Sequence, residues 1–224
     1  MNKVELVYIT PDAAEKIEKI ACVCYDSEPT GDFKILKHCM DSGHLSVAEH
    51  SDVTFKITCS RACSHQLVRH RTGKYTQRSQ RYCNEDGFDY YIPDKIKNNP
   101  LYLEVYNDIM TKIQETYDYL ISIGVKAEDA RYVLPNACET VIYVTFDFRN
   151  LFHFFNERLC SRAQKEIRDI AVQMKDQIIE KCSVIKPYCV PKCEAHQIPY
   201  CTESPKDCCG RHKRLIEIVR DEYK

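Results

Sequence analysis

"QLVRHRTGKYTQRSQRYCN", residues 66–84, concentrates Arg69, His70, Arg71, Lys74, Arg78 and Arg81 in a chain whose net charge is only −1. From Val53 to Asn84 there are seven Lys or Arg residues and no Asp or Glu. Such segregation calls for an anionic partner, a buried network or an exposed face that tolerates its own repulsion. Arg forms paired, charge-assisted hydrogen bonds to phosphate, and a hydroxyl such as that of Ser79, with neighbouring backbone N–H groups, completes an anion cradle. A loop that begins where a helix ends is well placed to wrap a phosphate.

The segments on either side define the fold class. "SDVTFKITCS" (51–60) alternates polar and apolar residues and reads as a strand. "RACSHQLVRHR" (61–71) resumes a helical period and delivers Arg69 and Arg71 to the helix end. Nearer the start, "TPDAAEKIEKIACVCY" (10–25) reads as a helix capped by Thr10 with Pro11 at its first position. "DFKILKHCMDSGH" (32–44) reads as a second, stopped by Gly43. Residues 72–98 read as irregular, punctuated by Gly73, Gly87 and Pro93, with Pro100 just beyond. A long amphipathic helix over 101–124, a short one over 126–135, a strand over 139–148 and a helical segment from about 149 to 182 complete the pattern. Helices outnumber strands without a regular β-α-β alternation, so the expectation is a helix-rich α+β fold with a small mixed or antiparallel sheet.

At 224 residues, 44% hydrophobic and 29% charged, the chain has the composition of a soluble globular protein, in one large domain or a compact domain with an appendage. The expected division is a main domain over 1–182 and a Cys-rich extension over 183–224 that packs on it. No apolar run reaches the roughly 20 residues of a membrane helix, and "MNKVELVYITPDA" shows no secretory pattern, so the cytoplasm is expected. Eight of the fourteen cysteines are scattered through apolar or mixed segments and read as reduced, buried small hydrophobes.

The other six crowd the tail: Cys182, Cys189, Cys193, Cys201, Cys208 and Cys209, with His196 and His212 among them. Cys189 with Cys193, and Cys201 with Cys208 or Cys209, have the spacing of possible ligand pairs. No C-x2-C pair occurs, so the preferred expectation is no metal and a proline-rich arm of reduced thiols.

Spacing within the basic stretch is more specific than its charge. Arg69-His70-Arg71, seven residues and Ser79, running on into Gln80-Arg81-Tyr82, resembles the signature of the flavin-dependent thymidylate synthases. "HLSVAEH" (44–50) upstream, and "ARYVLP" (130–135) and "FRNLFHFFNERLCSRAQKEI" (148–167) downstream, resemble further blocks of that family in order and spacing. The resemblance covers roughly residues 35 to 180. It implies that Arg69, His70, Arg71, Ser46, Glu49, Gln77, Asp147, Arg149 and His153 contact FAD. It implies that Gln66, Arg69, Gln77, Arg78, Ser79, Gln80 and Arg81 hold dUMP, with Arg131 reaching the same nucleotide from a neighbouring subunit. Arg158 is the implied catalytic residue: a guanidinium beside the uracil edge stabilises negative charge there without itself losing a proton. The ordinary alternative for Arg158 is a helix-surface cation paired with Glu157 or Glu166.

The implied reaction is reductive methylation of dUMP to dTMP, with methylenetetrahydrofolate as carbon donor and NADPH as reductant through FAD, in a homotetramer whose sites lie between subunits. No cysteine nucleophile is then needed, and Ser79, with no His/acid pair recognisable around it, reads as a ligand. Four positions depart from the commoner pattern: Asp147 for Asn, Glu157 for an apolar residue, Lys74 for Ser or Ala, and Gln77 where Glu also occurs. Two other readings compete. A nucleic-acid-binding protein would use the basic stretch, but leaves Arg131 and Arg158 unexplained and sits badly with a pI near 6.7. A metal-stapled structural protein leaves the ordered blocks without a reason. Neither nucleic acid nor membrane is an expected partner.

Overall fold

The computed structural model describes residues 2–222. Strand β1 (Lys3–Ile9) is followed by helices α1 (Ala13–Cys22) and α2 (Lys34–Asp41), then β2 (Asp52–Ser60), α3 (Arg61–Leu67) and β3 (Lys74–Gln77). Helices α4 (Asp94–Lys97), α5 (Pro100–Ser122) and α6 (Ala127–Ala130) lead to β4 (Glu139–Asp147), α7 (Phe148–Arg158), α8 (Lys165–Lys181) and α9 (Leu215–Glu222). The four strands form one antiparallel sheet in the order β1-β2-β4-β3. The fold is therefore α+β, with the sheet antiparallel throughout.

In β2 the residues Val53, Phe55, Ile57 and Cys59 are all essentially inaccessible, and Ile142, Val144 and Phe146 of β4 share that face. This period-2 burial matches the alternation read in 51–60, while 139–148 was legible from its β-rich content. Helices α7 and α8 cover the face. Phe148, Leu151, Phe152, Phe154 and Phe155 turn inward from α7, each ring worth about 2–3 kcal/mol of burial.

Several expectations need correction. Strand β1 was not anticipated; it is an edge strand, half of it exposed, with an irregularity between Leu6 and Tyr8 that blurs its alternation. Residues 72–98 are not wholly irregular, because β3 pairs with β4 from Lys74↔Thr145 to Gln77↔Ile142. The N-cap of α1 is Asp12, in left-handed backbone, rather than Thr10, whose hydroxyl instead accepts from Asp52 N at 2.9 Å. The segment from 149 to 182 is two helices, broken over 159–164. Pro100, read as punctuation, starts α5, where a missing N–H costs nothing and Asn99 caps the following amides. The stops at Gly43 and Gly124 hold: both have positive φ, at 77° and 92°.

Beyond α8 the chain returns to the main body. Cys182, Ile185 and Cys189 join the same apolar cluster as the sheet, while Cys193 and Cys201 are buried further along the arm.

Candidate active site

Helix α3 is fixed at its start by one buried carboxylate. Ser60 Oγ accepts from Cys63 N at 3.0 Å as the N-cap, while Ser60 donates from both N and Oγ to Glu166 at 2.8 and 2.7 Å. Burial pushes the Glu166 carboxyl above the usual range. Sequence reading did not single out Glu166 as a support; a charged residue on an apolar helix face is the only signal it leaves.

The helix ends at Leu67, so Arg69, His70 and Arg71 lie in the turn beyond it rather than within it. His70 N–H donates to Leu67 O at 3.1 Å and Gly73 N–H to His70 O at 3.0 Å. Tyr75 on β3 clamps the turn from below, its hydroxyl within 2.9 Å of Leu67 O and 2.7 Å of His70 O. Gly73 is required by this close packing: a Cβ there would meet Tyr75 Oη at 2.5 Å and Phe146 Cε1 at 2.7 Å. Arg69 and Arg71 are exposed, and neither has an acidic partner among the described residues.

Between them His70 turns inward. It is 8% exposed and meets Phe154 at 5.0 Å and His153 at 5.8 Å between ring centroids, both edge-on. Arg158, at the end of α7, donates from Nε to His70 Nε2 at 2.9 Å and from Nη2 to Gln66 O at 3.2 Å. Burial, then the Arg158 and His153 charges, pull the His70 imidazole down to about 4, so it is neutral at pH 7 and accepts at Nε2. Arg158 is itself half-buried, which lowers its value from the ordinary one. It forms no ion pair with Glu157 or Glu166 among the described residues.

The expected residues fall into three groups. Gln66, His70, His153 and Arg158 come together as described, with Gln66 also bonded to Gln164 and Gln77 donating to Ser64 Oγ at 2.9 Å. A second group lies at the end of β3. Arg78 donates to Asn84 O at 3.0 Å and faces the Glu85 carboxylate at 3.4 Å; Arg81 donates to Glu128 at 2.8 Å; Arg131 donates to Glu128 O at 3.1 Å. Ser79 Oγ accepts from Arg81 N at 3.3 Å, and Gln80 is buried against Cys138. The third group is at the start of α7, where Arg149 pairs with Glu49 beside Ser46 in the 3-10 turn Leu45–His50. Asp147 caps α7, its carboxylate accepting from Asn150 N at 2.8 Å and Asn150 Nδ2 at 2.5 Å.

The basic stretch is therefore not without acids. Tertiary structure supplies Glu85, Glu128 and, more distantly, Asp52 at 4.0 Å from Lys74. What remains unbalanced is Arg69 and Arg71. Sequence reading missed Tyr75, Glu85 and Glu128; only Glu85, immediately after the acid-free window, leaves a local trace.

Fold and site define an α+β protein that holds an open arginine cradle around a buried neutral histidine. The family model described as "Thymidylate synthase complementing protein" matches residues 5–183. A flavin-dependent thymidylate synthase of Geobacter sulfurreducens is 42% identical over 77% of this chain and 80% of its own. One from Pyrococcus furiosus is 36% identical over 99% of both. The crystal structure of a UMP/dUMP methylase PolB from Streptomyces cacaoi bound with 5-Br dUMP is similar at a TM-score of 0.72 and 27% identity, over 80% of this chain and 90% of that one. The chain belongs to the flavin-dependent thymidylate synthase family.

Proposed function

We propose that this chain converts dUMP to dTMP by reductive methylation, with FAD as cofactor, methylenetetrahydrofolate as carbon donor and NADPH as reductant. The observation that carries the reading is the exposed pair Arg69 and Arg71, without an acidic partner among the described residues, on either side of His70, itself bonded to Arg158. Two free guanidiniums on a turn clamped by Tyr75 suit the phosphates of a dinucleotide cofactor. On this reading Arg69, His70, Arg71, Ser46, Glu49, Gln77, Arg149 and His153 hold FAD, which when bound supplies the hydride-transfer chemistry. Asp147 belongs to the same region through its cap on α7, which aims Arg149 and His153 along one helix face.

Gln66, Gln77, Arg78, Ser79, Gln80 and Arg81, with Arg69, hold dUMP. Arg158 acts on its uracil edge. Its Nε is engaged by a neutral imidazole and Nη2 by a backbone carbonyl, neither of which cancels its charge, so the cation stays available for developing negative charge. In the isolated chain Arg78 and Arg81 face Glu85 and Glu128, and a nucleotide phosphate would compete for them.

A homotetramer with shared sites is part of the proposal. Leu101, Val105 and Ile109 of α5 lie on one helical stripe and are 64%, 62% and 46% exposed, an apolar edge that suits burial against another copy. Such an assembly would let Arg131 of one copy serve the nucleotide of another. The main unit spans residues 1–182 and the extension 183–224 packs on it. Among the described residues no helix is long and apolar enough to cross a membrane. A cytoplasmic setting agrees with fourteen cysteines that are all free.

The test is dTMP formation from dUMP, methylenetetrahydrofolate and NADPH, with and without added FAD. FAD-dependent product is expected. No product from protein that retains flavin would overturn the proposal.

A further inference from the structure

The arm after α8 folds back on itself. Cys193 and Glu194 stand in the 3-10 turn Lys192–Glu194. Eighteen residues beyond Glu194, His212 is brought over that turn because Cys201 N–H donates to Lys213 O at 2.9 Å and Cys201 bridges to Arg214. The result places one ligand atom each of Cys193, Glu194 and His212 within 4.8 Å of one another. His212 Nε2 is 3.5 Å from Glu194 Oε1, is shielded from solvent, and has no hydrogen-bond partner among the described residues. An imidazole nitrogen left so costs about 1–3 kcal/mol and needs a reason.

From this geometry we propose that Cys193, Glu194 and His212 form a binding site for a divalent cation of the zinc class. Sulfur, carboxylate oxygen and imidazole nitrogen form a borderline-soft donor set that suits Zn2+ better than Mg2+ or Ca2+. Bonds of roughly 2.0 Å to nitrogen and oxygen at a tetrahedral angle put those atoms ~3.3 Å apart, close to the spacing present. Binding releases the Cys193 thiol proton to solvent, forming the sulfur–metal bond, and a water takes the fourth position. Arg211 donates to Glu194 Oε1 at 3.0 Å, the same oxygen that faces His212, so a cation bound there shares that oxygen with the guanidinium.

Cys189 with Cys193, one of the pairs suggested by spacing, is not assembled by the fold, whereas Cys201 does meet Cys208, outside the trio. Cys189 lies in the apolar core, its thiol pushed up to about 12 by burial, and His196 stacks on Tyr200 at 4.4 Å. Neighbouring contacts say what the cation does. Glu203 of the arm receives Arg162 at 2.5 Å and also Lys192, and these three border the cavity of about 400 Å³ that Arg158 lines. Fixing the turn 192–194 fixes Lys192, and so pins the arm beside Arg158. The site is a structural staple and does not depend on the proposed activity.

The test uses the full chain, reduced, stripped with a chelator, reloaded with Zn2+ or Co2+ and desalted. One metal per chain is expected, and the cobalt form should show thiolate-to-metal absorption with the visible bands of four-coordinate cobalt. Cys193→Ser and His212→Gln should lower affinity by more than about 100-fold, since even outer-shell changes cost about 10–100-fold. Glu194→Gln should weaken it at least about tenfold. Cys209→Ser, an exposed thiol outside the trio, should bind as the parent does. Far-ultraviolet dichroism separates loss of metal from loss of fold. No retained metal in the parent, equal retention in His212→Gln, or equal loss in Cys209→Ser would each overturn the site.

Discussion

At the scale of single residues, His70 and Arg158 act as one unit. A neutral imidazole accepts the Arg158 Nε–H, which fixes the plane of the guanidinium without neutralising it. Arg158→Ala should abolish turnover while leaving the elution volume on size-exclusion chromatography unchanged. Arg158→Lys should recover only a small part, because an ammonium lacks the flat, two-sided donor set that meets both His70 and Gln66. Near-normal turnover in Arg158→Ala would remove the assigned role. His70 also makes stability depend on pH. Its folded value is near 4 against an ordinary 6.5, so between these the unfolded chain binds more protons and stability rises with pH. The contribution is complete above about pH 6.5 and is lost toward about pH 4, by up to about 3 kcal/mol. Urea unfolding at about pH 7 and about pH 4.5 should show a smaller difference in His70→Gln than in the parent. An identical difference in the two proteins would refute the assignment.

At the scale of elements, two local devices aim the site. The first is the α7 cap, where Asp147 holds the amide and side chain of Asn150. Asp147→Asn keeps an acceptor for Asn150 N and loses the second carboxylate oxygen, so it should cost less stability than removal of the cap. Asp147→Ala should cost about 0.5–2 kcal/mol in chemical denaturation and loosen FAD, because Arg149 and His153, proposed to hold it, ride on the same helix. Equal stability of the Ala and Asn variants would show that the cap contributes nothing. The second device is the turn 68–73 clamped by Tyr75. Gly73→Ala drives a methyl into Tyr75 and Phe146, so the ring must leave its bonds to Leu67 O and His70 O. A loss of about 1–3 kcal/mol is expected, with weaker retention of flavin on desalting. Tyr75→Phe, which keeps the ring and removes only the hydroxyl, should spare the packing but still weaken retention. Unaltered flavin retention in both variants would mean that the clamp does not shape the cradle.

At the scale of the whole molecule, the stripe on α5 decides whether the site is finished within one chain. Replacing Val105 and Ile109 together by Glu puts charge on an edge proposed to be buried between copies. Multi-angle light scattering should then show smaller species, with dUMP turnover reduced by at least about tenfold although each chain stays folded. Full activity in a dissociated variant would place the whole site in one subunit. Much of the architecture was already determined by the sequence. Polar–apolar alternation marked β2, β-rich content marked β4, Gly43 and Gly124 stopped α2 and α5, and the spacing from Arg69 to Ser79 with its companion blocks pointed to the family. These signals are local, because a strand's alternation and a motif's spacing are written in consecutive residues. Edge strand β1, with an irregular register, and β3, four residues long and held by tertiary contacts and its pairing with β4, have no such local signature. Charge balance was only partly open to local reading: Glu85 adjoins the basic stretch, but Glu128 reaches it only after folding, and Arg69 and Arg71 have no acidic partner among the described residues. The tail gives the sharpest contrast. Spacing suggested Cys189 with Cys193, but burial took Cys189 into the core and a backbone bridge at Cys201 carried His212 to Cys193 instead. Composition and order are properties of the chain, whereas which donor meets which acceptor depends on the three-dimensional path between them.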